Sequence, residues 1–451
     1  MPKRNVLTSN IKTTVLENGV VIASEYLPAI RSASMGVYLD TGSRDEVPRT
    51  SGLSHLFEHM VFKGTKKHDA LTIVKCFEST GGQVNAYTSK EQTCFYAKVV
   101  DTEVAASLSM LLEMVLESTF DETELRKEKD VIIEEIKGGE DNPEDYIYDL
   151  FSKAYFDKQS LGFAIAGTAR TVKGLTRDDL LLHQKRTTQE LPLYVLAVGN
   201  VNHEELVQIT RKAFAKDLGK RARVNRKPNS NLKSNLKLDV TGRLRQPLVR
   251  PEGIGQSQHL LEKKPVHQVT AILGGPGYAW NHPNRLALFL MNCIFGDGMS
   301  SKLFQSVRES LGLVYTIYSN PEFMINTGVY SIGFATEPKD LPKAMKEINK
   351  QIIAIKKDGL TKKEIEFAKA SLRGGILLGL ESTSTRLSSL SRQTMYGQPG
   401  ESIDKILQKM DKVTTQDIQL CIQDTFQSKK WASAAIVPTK ATVDLAKWID
   451  F

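Results

Sequence analysis

Leu53, Leu56, Phe57, Met60 and Val61 recur at steps of three and one, so on a helix they form one apolar stripe. Ser51-Gly-Leu-Ser just ahead supplies hydroxyls that can cap that helix. Phe120 to Ile136 reads as a longer helix. Asp121 and Glu122 sit in its first turn, where carboxylates favour the positive end of the helix dipole, and Leu125, Val131 and Ile132 mark its apolar face. Thr14 to Ala23 predicts two short strands around Asn18-Gly19, a hairpin signal. Ser34–Asp40, Cys94–Val100 and Pro192–Val198 read as further strands. Other helices are expected at 71–79, ending at Gly81-Gly82, near 102–118 and at 203–216.

The second half repeats this order. Val269 to Leu273 is a strand, followed by a helix over 282–295. Strands near 313–320 and 327–335 precede helices near 339–357 and 361–378. Phe120-Asp-Glu-Thr-Glu-Leu and Leu360-Thr-Lys-Lys-Glu-Ile stand at equivalent helix starts. The pattern predicts an internal duplication with an α+β fold of two homologous domains, each a mainly antiparallel sheet packed with helices. The expected domains are 1–219 and 259–451, joined by a linker over 220–258.

Charge supports the linker. Residues 220–258 carry ten Lys and Arg against Asp239 and Glu252, which accounts for the whole +8 of the chain. Rich in Asn, Ser, Pro and Gly, this stretch reads as solvated. It has no Phe, Tyr or Trp to stack on bases, so no nucleic-acid partner is expected. No run of 18 apolar residues suggests a membrane span. The first residues, Met-Pro-Lys-Arg-Asn, lack an apolar signal core, and a cytoplasmic location is expected. Cys76, Cys94, Cys293 and Cys421 are scattered without a C-x-x-C spacing, which suits free thiols in a reducing compartment.

The chemistry concentrates in His55-Leu-Phe-Glu-His59. Positions i, i+3 and i+4 share one helix face. Two imidazoles can therefore hold one zinc ion, with Glu58 beside it as general base. A chance match of this H-x-x-E-H order arises in roughly one in a hundred chains with eight His, so the motif is moderately specific. A third ligand has to come from elsewhere. Glu128 and Glu135 lie two turns apart on one face of the long helix, well placed to complete a His-His-Glu set.

Taken together, these residues resemble the pitrilysin-like inverzincin peptidases. That family places a metal-binding Glu about 76 residues after the second His, in a run like Glu128-Lys-Asp-Val-Ile-Ile-Glu-Glu135. The resemblance makes Glu135 the third ligand, Glu128 an auxiliary catalytic acid and Glu134 a bystander; a surface ion pair is the other reading of Glu128. Gly81-Gly-Gln-Val-Asn-Ala-Tyr-Thr88 resembles the segment leading into the family's substrate-binding edge strand, with Asn85 and Ala86 at the peptide; Asn85 also reads as a turn residue. Arg308-Glu-Ser-Leu-Gly-Leu-Val-Tyr315 is similar to an R-x-x-x-G-L-x-Y element whose Arg and Tyr orient substrate and stabilise the oxyanion; an ordinary helix-to-strand junction is the alternative. Phe295-Gly-Asp-Gly-Met resembles the segment before it. The chain is similar to bacterial half-length members, related to mitochondrial processing peptidase subunits.

The resemblance implies one Zn2+ per chain and hydrolysis of short or unfolded peptides inside the chamber of a homodimer. Two rival readings remain. One is a non-catalytic subunit of a larger assembly. The other is a processing peptidase for targeting sequences that needs a different partner subunit.

Overall fold

The computed structural model describes residues 11–218, 250, 252–253, 255–397, 402–443 and 449–451. Eleven strands and fifteen α-helices occur among them. The strands are β1 (Ile11–Val15), β2 (Val21–Tyr26), β3 (Ser32–Leu39), β4 (Gln83–Thr88), β5 (Thr93–Val100), β6 (Leu193–Gly199), β7 (His259–Lys264), β8 (Val269–Pro276), β9 (Thr316–Phe323), β10 (Gly328–Thr336) and β11 (Ala432–Pro438). The first helices are α1 (Leu53–Val61), α2 (Ala70–Glu78), α3 (Val104–Glu117), α4 (Glu122–Asp141) and α5 (Pro143–Phe156). Next come α6 (Ala169–Gly174), α7 (Arg177–Lys185), α8 (His203–Ala213), α9 (Ala215–Leu218) and α10 (Arg285–Phe295). The last are α11 (Leu341–Asp358), α12 (Lys362–Gly379), α13 (Thr383–Met395), α14 (Ile403–Asp411) and α15 (Thr415–Thr425).

One compact unit comprises Met1–Ile133, Ile165–Val249 and Gly379–Ile403. Its sheet runs β1-β2-β6-β3-β5-β4. Every neighbour is antiparallel except β2 and β6, so the sheet is mixed rather than purely antiparallel. Helix α13 lies on β6 and β3, and its Leu387 and Leu390 are buried with Tyr38, Cys94, Tyr194, Leu196 and Val198. On α4, Leu125, Ile132 and Ile133 are buried but Val131 is 44% exposed, so Ile133 takes the place on the apolar face that the sequence suggests for Val131. The helix expected over 203–216 breaks at Phe214 into α8 and α9.

The other unit comprises Glu134–Ala164, Arg250–Leu378 and Asp404–Phe451. Its sheet, β7-β11-β8-β10-β9, repeats the first without a counterpart of β1, and β7 and β11 form its parallel pair. Helix α5 packs on β11 and β8, with Ile147, Leu150 and Phe151 buried against Ile272, Ala434 and Ile436. The units thus cut across the contiguous stretches 1–219 and 259–451, since α5 and α13 each fall with the other stretch's sheet.

Most of the expected linker lies outside the described residues. Its end is exposed at Glu252 and over Gly255, Gln256 and Ser257, yet it is tethered to the second unit. Thr327 Oγ1 donates to Gly253 O at 2.9 Å, and a Cβ on Gly255 would meet the Tyr155 ring at 2.3 Å. Among the described residues, no helix is long and apolar enough to cross a membrane.

Candidate metal centre

Helix α1 is held from its apolar side. Leu53, Leu56, Phe57, Met60 and Val61 are buried, and the Phe57 ring lies 5.0 Å from His183 and 5.7 Å from Phe120, centroid to centroid. The helix start differs from the hydroxyl cap expected of Ser51-Gly-Leu-Ser. Gly52 is the N-cap, in the left-handed region at φ 92°, and has no side chain to offer. A Cβ there would also meet Ala166 O at 2.5 Å, so glycine is required twice over. The capping falls to Glu46, whose buried carboxylate accepts from the Gly52 and Ser54 amides at 2.7 Å each. First-turn amides have no partner inside the helix, and these two bonds supply one. Burial pushes the Glu46 carboxyl up to about 7, and the Ser54 and Gly52 bonds offset that only in part.

The other face of α1 presents His55, Glu58 and His59. The two imidazoles stand edge to face with centroids 4.7 Å apart. Burial, and then the neighbouring His59, pull His55 down to about 4, so it is neutral near pH 7. Its Nδ1 is buried without a hydrogen-bond partner among the described residues. An unsatisfied buried nitrogen of this kind costs on the order of 1–3 kcal/mol. Neutral imidazole is also the form that binds metal.

Helix α4 brings the acids. Glu128 Oε2 lies 3.1 Å from His59 Nδ1, and its Oε1 accepts from Lys63 Nζ at 2.6 Å. A carboxylate on Nδ1 fixes the tautomer that presents Nε2 to a cation. Further along the same helix, Glu135 completes a set with His55 and His59 whose donor atoms all lie within 4.8 Å of one another. Two imidazole nitrogens and one carboxylate oxygen match the donor chemistry of zinc. Glu134 points elsewhere and pairs with Lys137 at 2.7 Å. Glu58 Oε2 accepts from Thr88 Oγ1 at 2.5 Å.

Two family models match the chain in sequence. Residues 21–169 match "Insulinase (Peptidase family M16)", and residues 174–372 match "Peptidase M16 inactive domain". The chain is 35% identical over 431 residues to YmxG of Bacillus subtilis, an uncharacterized zinc protease, spanning 95% of this chain and 98% of that one. It is 33% identical over 439 residues to ML0855 of Mycobacterium leprae, another uncharacterized zinc protease, spanning 97% and 94%.

This chain belongs to peptidase family M16.

The M16 fold is repeated in solved structures. A protease from Helicobacter pylori superposes with a TM-score of 0.81 at 21% identity, covering 95% of this chain and all of that one. A structure from Pseudomonas fluorescens described as a peptidase M16 inactive domain gives 0.82 at 18% identity, covering 96% and 99%.

The remaining residues singled out from sequence fall in two places. Asn85 and Ala86 lie on β4, the edge of the first sheet, where exposed Asn85 bonds its own neighbour's amide at 2.8 Å. Arg308 and Tyr315 belong to the second unit. Arg308 sits on a π-helical segment, Phe304–Ser310, with its guanidinium 4.7 Å from the Phe304 ring centre. Tyr315 is 68% exposed. Sequence reasoning missed Glu46 and Lys63, and it quoted Thr88 as the end of the Gly81–Thr88 segment without giving it a role. Lys63, one turn past His59, was the most legible of them; Glu46 acts six and eight residues away, outside cap spacing.

Proposed function

We propose that the chain is a zinc-dependent endopeptidase or oligopeptidase acting on short or unfolded peptides. The observation that carries this reading is the convergence of His55, His59 and Glu135 from two helices, with Glu58 on the same face of α1 as the histidines. The zinc-protease names of its relatives support it. When bound, zinc supplies a Lewis acid that polarises the peptide carbonyl and the attacking water. His55, His59 and Glu135 would hold it. Glu58 takes the proton from that water and returns it to the departing amine. Glu128, bonded to His59 and Lys63, keeps the His59 ring oriented. Substrate would extend along β4 by main-chain pairing at Asn85 and Ala86, because an open sheet edge offers unpaired amides and carbonyls. Arg308 and Tyr315 would donate to the oxyanion. A half-length chain would form its chamber as a two-fold homodimer.

The test is Glu58→Gln. An amide cannot accept the proton, so this variant should keep its zinc and lose peptidase activity. Zinc loss as complete as in His59→Ala would make Glu58 a ligand and overturn its role as base.

A further inference from the structure

Glu58 is a long side chain with several rotatable bonds on the half-buried face of α1 that carries the two histidines. A general base has to hold one oxygen toward the reacting water, and errors near 1 Å cost heavily in rate. Something must fix the carboxylate. Thr88 is in place to contribute.

Thr88 is the last residue of β4, paired across the ladder with Thr93. Its hydroxyl donates to Glu58 Oε2 at 2.5 Å, while Ser54 O lies at 3.4 Å. A hydroxyl has one proton, and the shorter contact to a charged acceptor takes it. The backbone beneath Thr88 is anchored. Ser89 and Gln92 close the turn through Ser89 N to Gln92 O at 2.8 Å. The amides of Ser43 and Arg44 donate to Ser89 O and Lys90 O, at 3.1 and 2.9 Å. Buried Arg44 and Glu91 form an ion pair, and Tyr396 donates to the same Glu91 at 2.9 Å. Thr93 Oγ1 donates to Thr41 O at 3.1 Å. The hydroxyl therefore stands on a rigid hairpin end, and that hairpin belongs to the edge strand of the sheet.

We propose that Thr88 is a positioning residue for Glu58, its hydroxyl pinning one carboxylate oxygen and so orienting the group for proton transfer. The inference rests on the reading of Glu58 as the base. It also ties that base to β4, so the strand offered to substrate and the group that works on it share one anchor.

The experiment compares Thr88→Val, Thr88→Ala and Thr88→Ser in peptide hydrolysis, with zinc content and thermal midpoint measured on each. Loss of the hydroxyl should lower kcat by about 10- to 100-fold in both Val and Ala, with KM and zinc content unchanged. Ser, which keeps the hydroxyl, should stay within a few-fold of wild type. Wild-type kcat in Thr88→Val or Thr88→Ala overturns the proposal. So does a loss that follows side-chain volume, with Ser and Ala falling together, or one that follows zinc content. Glu58→Gln run alongside separates the two readings. If it is inactive while Thr88→Val is not, only the role of Thr88 fails; if it stays active, the base assignment fails and this inference with it.

Discussion

Arg386 donates to Glu25 Oε1 at 2.5 Å across 361 residues of chain. Arg386 is the fourth residue after Ser382, the cap of α13, and Glu25 is on β2. The second unit repeats the arrangement. Tyr146, the fourth residue after the Asn142 cap of α5, donates to Glu262 of β7 at 2.9 Å. β7 lies beside β11 as β2 lies beside β6, each parallel. Each repeat's exchanged helix is thus tied by a hydrogen bond to an acid on the equivalent strand of its sheet.

The Arg386–Glu25 pair is largely withdrawn from water, with side chains 13% and 9% exposed. Removing one partner of such a pair strands the other, which costs about 3–5 kcal/mol. Arg386→Met should therefore destabilise the protein by that order in urea unfolding. Glu25→Leu combined with Arg386→Met should recover most of the loss, since replacing both charges by apolar groups is often neutral. A single-variant loss under about 1 kcal/mol would mean the pair is screened like a surface bridge.

That exchange is also where the sequence fell silent. The strands around Asn18-Gly19 and the long helix from Glu122 were legible because their apolar periods are clean. α13 begins Thr383-Ser-Thr-Arg-Leu-Ser-Ser-Leu, a polar run with few apolar anchors, and it was not anticipated. Its burial comes from contacts with residues some 350 positions away, such as Thr383 with Ser34 at 2.8 Å, and no local window carries that information. The same holds at the candidate site. His55 and His59 could be paired by their spacing on one helix, while Glu135 rather than Glu128 came only from the family resemblance. Glu46 could be found by neither, because its place at the start of α1 depends on a left-handed Gly52 and the loop between them.

Glu128 and Glu135 share a helix face but have different neighbours, so their loss should be told apart by metal retention. Glu128 holds His59 through Nδ1, and losing an outer carboxylate of this kind costs roughly 10- to 100-fold in metal affinity. Glu135→Gln removes a proposed ligand and should cost more. Zinc release to a chelator should therefore be fastest for Glu135→Gln, then Glu128→Gln, then wild type. The reverse order of the two variants would exchange their roles.

Two buried groups behind α1 should pull stability in opposite directions with pH. His183 is depressed to about 4, first by burial and then by Arg186. The unfolded chain, with His near 6.5, then binds the extra proton between these values, so this group's contribution is present above 6.5 and lost as pH falls toward 4. Glu46 is raised to about 7, so the folded chain binds the extra proton; its contribution is present below 4.5 and lost as pH rises through 7. Each shift corresponds to about 3 kcal/mol, so over their shared window the two largely cancel. Relative to wild type, stability of His183→Leu should fall as pH rises from 4.5 to 6.5, and that of Glu46→Gln should rise. Parallel pH profiles for all three proteins would show that neither group titrates between the folded and unfolded states as described.

The last prediction asks which chain supplies Arg308 and Tyr315. The family resemblance implies double-length relatives that join two such halves in one chain, with the metal residues and the Arg-Tyr pair in opposite halves. Carried over to a homodimer, the proposed metal site of one chain would be completed by Arg308 and Tyr315 of its partner. Glu58→Gln removes the base and Tyr315→Phe removes the phenol donor, so each homodimer should be inactive or nearly so. A mixed dimer places both defects in one site and leaves the other intact. Random exchange makes about half the dimers mixed, and with independent sites the mixture should recover roughly one quarter of wild-type activity. Subunit exchange is followed separately with differently tagged chains. Exchange without recovery would put the base and the phenol of each working site in the same chain, or remove Tyr315 from the chemistry altogether. The single-variant kinetics distinguish these two: a Tyr315→Phe homodimer with full activity has no catalytic phenol to complement.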